Sequence, residues 1–412
     1  MGAQSVAQHS RAKLVLAMVA CTLCTWAMMG DTAVITAGND IFENFREADP
    51  LVLNFILSGP ALIQVIMGPI TGKLLNHVTP KVTLLIGFGA FGIGGILGAV
   101  VDNVFYVAAM RAVAGIGMGM VNVSSLTLIS ELFESEAQRG TMIGLWNAGM
   151  SIIGAVISFW AGMLVLQGWE AVFHVYWVAI PIWIFVMLVV PNVGKRPSEG
   201  APASSEDGTC DAAVSADQSA VTPWKTVVLS LVAYFVSMAL FCVMYYCTSI
   251  YVAETGLGDG SVAGLLTASI SLGTLAGCLV FGPFYKVAKR WVPTVFWVLL
   301  IAGYLALYFC HVVAVAVAAC AVLGVVNAFV MNHYQTRLSV LPALRQRSFV
   351  IGLAAMVLGL SMFLSTYLVT FLQAVTGVSS FVGIMPTILA LGVVGLLASL
   401  VVALRVRKDA AE

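Results

Sequence analysis

Long apolar runs alternate with short polar segments along almost the whole chain. Each run is about 20 residues long, which is the length an α-helix needs to cross a hydrocarbon core about 30 Å thick. Open sheets cannot satisfy their backbone in lipid, and the runs are too long and too uniformly apolar for barrel strands. We therefore predict twelve membrane-spanning helices, near residues 14–37, 51–75, 82–101, 104–130, 141–165, 171–190, 225–250, 261–284, 292–310, 312–340, 348–373 and 379–403.

One polar interruption, residues 191–223, is much longer than the others. It is rich in Pro, Ser, Ala and charge and lacks large apolar residues, so it cannot bury enough surface to fold alone. Six predicted spans lie on each side of it. The pattern predicts an N-terminal six-helix bundle over residues 1–190, a cytoplasmic linker over 191–223 and a C-terminal six-helix bundle over 224–412.

Composition supports the membrane assignment. Hydrophobic residues make up 60% of the chain and charged residues only 9%, with a mean hydropathy of +1.01, whereas about a quarter of an ordinary soluble domain is charged. The net charge of zero gives no reason to expect a nucleic-acid partner, which would demand a basic surface. Cys21 and Cys24 form a CxxC inside the first span, where packing is favoured over redox chemistry. We expect no cofactor and no metal site.

The basic residues indicate the orientation of the helices. If both termini are cytoplasmic, all but three of the nineteen Lys and Arg residues fall at inner ends of spans. The exceptions are Arg46, which lies outside, and Arg111 and Arg337, which lie within spans. This bias follows the positive-inside rule. We therefore expect a multi-pass, monomeric protein of the cytoplasmic membrane, surrounded by lipid, with both termini inside.

The two halves also repeat each other. Gly68-Pro69 in the second span returns as Gly282-Pro283 in the eighth, and alignment of the later segments places Asn122 opposite Asn332. A duplicated six-helix unit is typical of transporters in which a site near the bilayer midplane, between the halves, opens alternately to each side. The architecture therefore predicts transport.

Three segments resemble signatures of the major facilitator superfamily. Residues 68–81, GPITGKLLNHVTPK, look like its loop 2/3 motif, in which an Asp and basic residues pair across the inner gate. Here Asn76 stands in place of that Asp, and Thr79-Pro80 replace the Gly and the first basic residue, which leaves Lys81. The resemblance implies an inner gate loop with a weakened charge latch, and its candidate residues are Gly68, Pro69, Gly72, Asn76 and Lys81.

Residues 111–120, RAVAGIGMGM, are similar to the span 4 signature of the same family, and residues 29–41, MGDTAVITAGNDI, resemble the first-helix signature of its drug:proton antiporters. In span 5, residues 154–159 keep only the first Gly of the antiporter motif. The likeness covers nearly the whole chain. It implies an all-α membrane protein with twelve helices in two pseudo-symmetric six-helix bundles, most like the twelve-helix drug:proton antiporter branch.

Only two charges lie well inside the predicted spans, Asp31 and Arg111. A charge in a span costs at least about 2.5 kcal/mol, so each requires a reason. Counting 1.5 Å per residue puts both about 10 Å below the outer surface, which suggests a pair or a relay. Asp31 would carry the coupling proton as its distance from Arg111 changes. Alternatively, Asp31 caps a helix at the interface and Arg111 ties helices together.

Uncharged polar side chains in the spans are candidates for the substrate cavity, with hydrogen bonding between helices as the alternative interpretation. His333 could titrate, but a lone histidine is more often a packing residue. The candidates are Asn122, Trp146 and Asn147 in the first half and Tyr245, Tyr246, Asn327, Asn332, Tyr334 and Gln335 in the second.

These features predict a secondary active transporter that moves a small organic molecule by alternating access, coupled to protons and working as an exporter. Uptake or exchange of a small organic metabolite or anion by a symporter, uniporter or exchanger is the alternative. The sequence contains no HExxH, GxSxG or Walker-type loop and no pair of carboxylates within the spans, which argues against an enzyme and against ATP as the energy source.

Overall fold

The computed structural model describes residues 11–75, 77–132, 136–190, 223–288, 291–309, 311–341 and 344–409. Helices dominate these residues, and none of them is in a strand. By length and composition, eleven helices could cross a membrane, and a twelfth apolar helix, Pro80–Ile96, is shorter. The predicted all-α membrane architecture is confirmed. Nearly all of the linker predicted at 191–223, and Asn76 of the gate loop, lie outside the described residues.

The chain divides into two compact units, Met1–Lys195 with Gly258–Ala268, and Arg196–Leu257 with Ser269–Glu412. The first half of the chain contains α1 (Arg11–Leu23), α2 (Thr25–Met29), α3 (Asp31–Thr36), α4 (Gly38–Asn44), α5 (Pro50–Leu74), α6 (Pro80–Ile96), α7 (Val104–Leu132), α8 (Glu136–Leu164) and α9 (Ala179–Val189). The second half contains α10 (Trp224–Tyr246), α11 (Thr248–Thr255), α12 (Gly260–Ala288), α13 (Val292–Phe309), α14 (Val313–Val340), α15 (Leu344–Thr376) and α16 (Phe381–Asp409).

The first span is not one continuous helix. It runs through α1, α2 and α3 and continues as α4, with interruptions at Cys24, Gly30 and Ala37. Asp31 is the first residue of α3, directly after the second interruption. The break therefore falls beside the one acidic side chain that sequence analysis places in the membrane.

The sixth span also departs from a regular helix. Residues Trp169–Val178 form a 3₁₀-helix of ten residues before α9 begins, and Gly168 before it has a φ of 123°, a conformation that glycine adopts far more readily than other residues. Runs of 3₁₀-helix longer than three or four residues are uncommon and often mark a hinge or a strained segment.

Glycines allow α7 to pack very closely against α5 and α6. A Cβ atom at Gly94 of α6 would lie 2.5 Å from the backbone nitrogen of Ala114 in α7, and one at Gly115 of α7 would lie 2.9 Å from Cα of Pro60 in α5. Small residues of this kind let helix backbones approach in lipid, where close packing drives association. The result is a tightly packed three-helix layer that carries Arg111.

Acidic side chains cap two helices near loops. The carboxylate of Glu254 in α11 accepts hydrogen bonds from the Ser380 hydroxyl at 2.8 Å and from the backbone N–H groups of Phe381 and Val382 at 2.7 and 2.9 Å, at the start of α16. Asp259 caps α12 locally, and the hydrogen bonds that it accepts from Ser261 hold the pKa of its carboxyl below the usual value. Both contacts satisfy N–H groups that a helix leaves without partners in its first turn.

Candidate functional site

Asp31 and Arg111 meet inside the first unit. Nη2 of Arg111 lies 2.5 Å from Oδ1 of Asp31. Arg111 is only 1% exposed and Asp31 7% exposed. The two opposite charges are thus joined by a direct hydrogen-bonded ion pair within candidate spans Leu16–Thr36 and Val104–Ile129.

A proline in α5 frees the backbone carbonyl that accepts the second hydrogen bond from Arg111. Nε of Arg111 donates to the backbone carbonyl of Ile56 at 2.8 Å. In a regular helix, that carbonyl would accept from the N–H four residues later, but the residue there is Pro60, which has none. The proline therefore leaves a carbonyl oxygen available at the depth of the guanidinium.

Tyr176 supplies the third acceptor. Nη1 of Arg111 donates to the Tyr176 hydroxyl at 3.1 Å, and this hydroxyl in turn donates to the backbone carbonyl of Gly30 at 3.2 Å. Tyr176 belongs to the 3₁₀ segment of the sixth span and is fully buried. The guanidinium thus makes hydrogen bonds with three different nitrogens to three different helices or segments, which only an arginine fork can do.

Asp31 is an ionisable acid held in a buried ion pair. Removing one member of such a pair leaves the other charge uncompensated at high cost. No group of three or more His, Cys, Asp or Glu side chains with metal-site geometry occurs among the described residues.

An apolar cavity of about 520 Å³ lies between α1 and α8 in the first unit. Thr22 is its one polar side chain among the described residues, and it precedes Asp31 by nine positions in the first span. A cavity of this volume fits a drug-sized molecule. Its lining consists of Met18, Val19, Thr22 and Leu23 of α1 and Met142, Leu145, Ala148, Gly149, Ile152 and Ile153 of α8.

The cavity candidates of the first half lie outside this lining. Trp146 of α8 is buried, and its indole N–H has no hydrogen-bond partner among the described residues. Asn147 and Asn122 are half-buried, and the backbone carbonyl of Asn147 accepts from the Ser151 hydroxyl at 3.3 Å. The role of these three residues in substrate binding stays a prediction.

In the second half, two asparagines contact α12. The side-chain amide of Asn327 donates to the Thr274 hydroxyl at 3.3 Å, and that of Asn332 to the Cys278 sulfur at 3.6 Å. Both bonds join α14 to α12, which is the pattern that interhelical packing predicts. Their role in substrate binding remains a prediction.

The aromatic candidates of the second half pack against other rings. Tyr246 is fully buried and meets Tyr245 edge to face, with ring centroids 5.4 Å apart. Tyr334 is buried and stacks on Tyr234 at 5.3 Å, while Gln335 is exposed. The ring contacts are consistent with a packing role for the three tyrosines. A role of these tyrosines or of Gln335 in substrate binding stays a prediction.

His333, the titratable candidate, is also enclosed by rings. Its ring lies 5.1 Å from that of Tyr334 and 6.2 Å from that of Tyr285. Both imidazole nitrogens are buried without a hydrogen-bond partner among the described residues.

Three of the gate-loop candidates, Gly68, Pro69 and Gly72, lie within the C-terminal part of α5. Gly68 is half-buried, and Pro69 and Gly72 are exposed, and a Cβ at either glycine would meet no atom within 4 Å. Lys81 is half-buried in the first turn of α6. Their gating role stays a prediction.

Sequence reasoning missed Tyr176 and the Pro60–Ile56 pair. A signal existed for each. Tyr176 lies about five residues into the sixth predicted span, which puts its hydroxyl at nearly the same depth as the two charges. Pro60 lies inside the second span, and any proline there frees the carbonyl four residues earlier.

A family model of the Major Facilitator Superfamily matches residues 18–366. The chain therefore belongs to this superfamily of membrane transporters and is a multi-pass membrane transporter. The match confirms the resemblance drawn from the sequence motifs and the prediction that the chain is a transporter and not an enzyme.

Individual relatives match over shorter regions. The Methylenomycin A resistance protein of Streptomyces coelicolor is 29% identical over 148 residues, which cover 36% of this chain and 31% of that protein. The Multidrug resistance protein Stp of Mycobacterium tuberculosis is 33% identical over 92 residues, which cover 22% of this chain and 17% of that protein. The chain thus matches less than a third of the length of either relative.

Solved structures share the fold over nearly the full length. The crystal structure of the D-xylose-proton symporter superimposes with a TM-score of 0.70 at 17% identity and covers 94% of this chain and 97% of that one. An inward-facing bacterial homologue of the human lysosomal transporter Spinster gives a TM-score of 0.67 at 15% identity, with 96% and 95% covered. At these identities the likeness establishes the fold alone.

Proposed function

We propose that this chain is a proton-coupled exporter of small apolar or amphipathic organic molecules, which works by alternating access of two six-helix bundles, residues 1–190 and 224–412, joined by the linker at 191–223. The observation that carries the proposal is the buried Asp31–Arg111 pair, at 2.5 Å within candidate membrane spans. Ionisable residues within membrane spans are costly and are usually functional, which favours a coupling role over a purely structural tie between helices.

The proton step follows from the charges. With Asp31 ionised, the carboxylate and the guanidinium neutralise each other. A proton that binds Asp31 leaves Arg111 as an uncompensated buried cation, and this state is relieved when the surrounding helices rearrange. Proton binding and release at Asp31 would therefore drive the exchange between the two access states.

The substrate class follows from the cavity between α1 and α8. Its lining is apolar apart from Thr22, and α1 on one side of it belongs to the same span as Asp31. A molecule bound there would therefore contact the span that carries the proposed proton site. Two relatives are named for resistance to an antibiotic or to multiple drugs, which favours export of such compounds over uptake.

An anionic metabolite that pairs with Arg111 is the alternative. The guanidinium is 1% exposed and already has Asp31, Ile56 and Tyr176 as acceptors. An anion would have to displace one of them in another conformation, so we favour the apolar substrate.

The test uses the full chain in liposomes that contain a pH-sensitive dye, with methylenomycin A and the fluorescent cation ethidium as probes. We expect at least one probe to evoke proton movement in the wild-type protein. Asp31→Asn should abolish it, because the amide cannot carry the proton. Ethidium accumulation in cells that express the chain should fall if transport is outward and rise if it is inward.

Asp40→Asn is the matched control, because Asp40 is a half-buried acid in α4, beyond the candidate span of the same segment. It should leave proton-coupled flux unchanged. Undiminished coupled flux in Asp31→Asn would refute the proposed coupling role.

A further inference from the structure

The backbone just before Asp31 is held by side chains and not by a regular helix ladder. The carbonyl of Met29 accepts from the Thr32 hydroxyl at 2.8 Å. The carbonyl of Gly30 accepts from the Ala33 N–H at 3.2 Å, a bond that spans three residues instead of four. It also accepts from the Tyr176 hydroxyl at 3.2 Å. Side-chain insertion of this kind is a recognised cause of helix breaks.

Two hydrogen bonds in opposite directions join this break to the 3₁₀ segment of the sixth span. The indole N–H of Trp26 donates to the carbonyl of Val175 at 3.2 Å, and the hydroxyl of Tyr176 donates back to the carbonyl of Gly30. The segment around Tyr176 and the break before Asp31 are therefore expected to move together.

The Tyr176 ring has little freedom to reorient. It lies 4.9 Å from the Phe91 ring and is stacked at 5.9 Å on that of Phe173. A Cβ at Gly95 would overlap the Tyr176 ring, and one at Gly30 would lie 3.3 Å from it. These glycines leave room for the ring, which aims the hydroxyl at both Arg111 and Gly30.

The hydroxyl matters more in one protonation state of Asp31 than in the other. While Asp31 is ionised, it neutralises the guanidinium. Once Asp31 binds a proton, the neutral acceptors that contact Arg111, the Tyr176 hydroxyl and the Ile56 carbonyl, must stabilise the cation. A phenol that accepts from a cation also becomes a stronger donor, so its bond to Gly30 should tighten in that state.

We propose that Tyr176 is a positioning residue that passes the protonation state of Asp31 to the helix break at Gly30 and sets the proton affinity of the exchange site. This inference rests on the proposed function, in which Asp31 carries the coupling proton.

Few other titratable groups surround the site. Arg111 contacts Asp31 directly, and Tyr176 contacts Arg111. α8, which packs on α3, has its two ionisable residues, Glu136 and Arg139, in its first turn. α4, which also contacts α3, carries the half-buried Asp40 and the exposed Glu43. Glu170 and His174 of the 3₁₀ segment are exposed. Lys73 lies in the last turn of α5 and Lys81 in the first turn of α6. The Arg111–Tyr176 contact is the interaction that Tyr176→Phe changes.

The experiment is an infrared pH titration of the purified full-length protein that follows the protonated-carboxyl band absent from Asp31→Asn. Tyr176→Phe removes the acceptor on which the protonated state depends, so its midpoint should move to lower pH by about one unit, a tenfold loss of proton affinity equivalent to 1.36 kcal/mol. An unchanged midpoint or a shift to higher pH would overturn the inference.

Two controls separate positioning from general loosening. Tyr304→Phe removes another buried hydroxyl that donates to a helix carbonyl, that of Leu240 at 2.7 Å, and should leave the midpoint unchanged. Trp26→Phe breaks the other bond between the same segments and should lower thermal stability without moving the midpoint. If Trp26→Phe moves it as far as Tyr176→Phe does, the hydroxyl has no specific role.

A measurement on the wild-type protein covers the case in which Tyr176→Phe does not fold. Ring-deuterated tyrosine identifies the phenol bands, and one of them should shift with the same midpoint as the Asp31 carboxyl band. A titrating carboxyl band without any shift of a phenol band would refute the role of Tyr176 and leave the proposed function intact. If Asp31→Asn removes no protonated-carboxyl band and keeps coupled flux, the proposed function itself fails.

Discussion

Replacing Arg111 with lysine tests whether its fork geometry is required. Lysine keeps the positive charge, but its three donors radiate from one nitrogen, whereas Nε, Nη1 and Nη2 of the arginine each reach a different acceptor. Those acceptors are the Ile56 carbonyl, the Tyr176 hydroxyl and the Asp31 carboxylate, at 2.8, 3.1 and 2.5 Å. A single ammonium group beside Asp31 would leave the other two without their cation.

The size of the effect follows from the two lost contacts. A hydrogen bond to a charged group contributes about 1.5–3 kcal/mol, so losing two should cost at least about 3 kcal/mol of folding free energy, roughly a 100-fold change in an equilibrium constant. Only the part of this lost free energy that differs between the protonated and ionised states of Asp31 affects proton coupling. We therefore expect proton-coupled flux in Arg111→Lys to fall at least tenfold.

The assay combines coupled flux in dye-loaded liposomes with thermal unfolding in detergent. Arg337→Lys is the matched control, because Arg337 is the other arginine in a predicted span and is half-buried in the last turn of α14. It should keep both wild-type flux and stability. Arg111→Lys with more than half of the wild-type flux and an unchanged unfolding temperature would refute the requirement for three separate donors.

Three further changes have expected outcomes. Pro60→Ala restores an N–H that competes with Arg111 for the Ile56 carbonyl. Coupled flux should fall severalfold, while thermal stability is kept or improved. Unchanged flux would mean that the contact between Arg111 and this carbonyl is dispensable. Gly94→Val forces a side chain into a close approach of α6 to α7 and should cost about 1–3 kcal/mol, measured as a lower unfolding temperature. A stability equal to wild type would contradict the packing described. Glu254→Gln removes the charge that caps α16 and should lower the folding free energy by about 0.5–2 kcal/mol, seen as a lower unfolding temperature, without loss of coupled flux. An unaltered unfolding temperature would show that the charged cap does not contribute to stability.

Much of the helix plan could be predicted from hydrophobicity, because lipid tolerates few alternatives to a helix. The prediction of 51–75 for the second span compares with the observed Pro50–Leu74, and 104–130 for the fourth with Val104–Leu132. Details within spans were missed. The third predicted span, 82–101, ends early at Ile96, and the sixth, predicted as a helix from residue 171, begins as a 3₁₀-helix. The hydrophobicity of a segment does not determine which of its backbone hydrogen bonds form.

The candidate site was only partly predictable for a related reason. Counting residues from the span ends put Asp31 and Arg111 at one depth, because a helix rises by a fixed amount per residue. The remaining partners are a tyrosine hydroxyl and two backbone carbonyls. A carbonyl has no signature in the sequence unless a residue such as Pro60 removes its normal donor. The Gly30 carbonyl at the break accepts from a tyrosine hydroxyl 146 positions away.

The glycine contacts of α7 have a mechanical consequence. At Gly94 and Gly115 the helix backbones are in contact with no side chain between them. Sliding one of these helices along another would bring side chains into steric clash with the neighbouring backbone. We therefore expect α5, α6 and α7 to behave as one rigid unit. The first span is interrupted at Cys24, Gly30 and Ala37, where its backbone is not held by a continuous helical ladder. We therefore expect conformational change in this half of the protein to occur mainly by bending of the first span. α5, α6 and α7, which position Arg111, should move as one rigid unit.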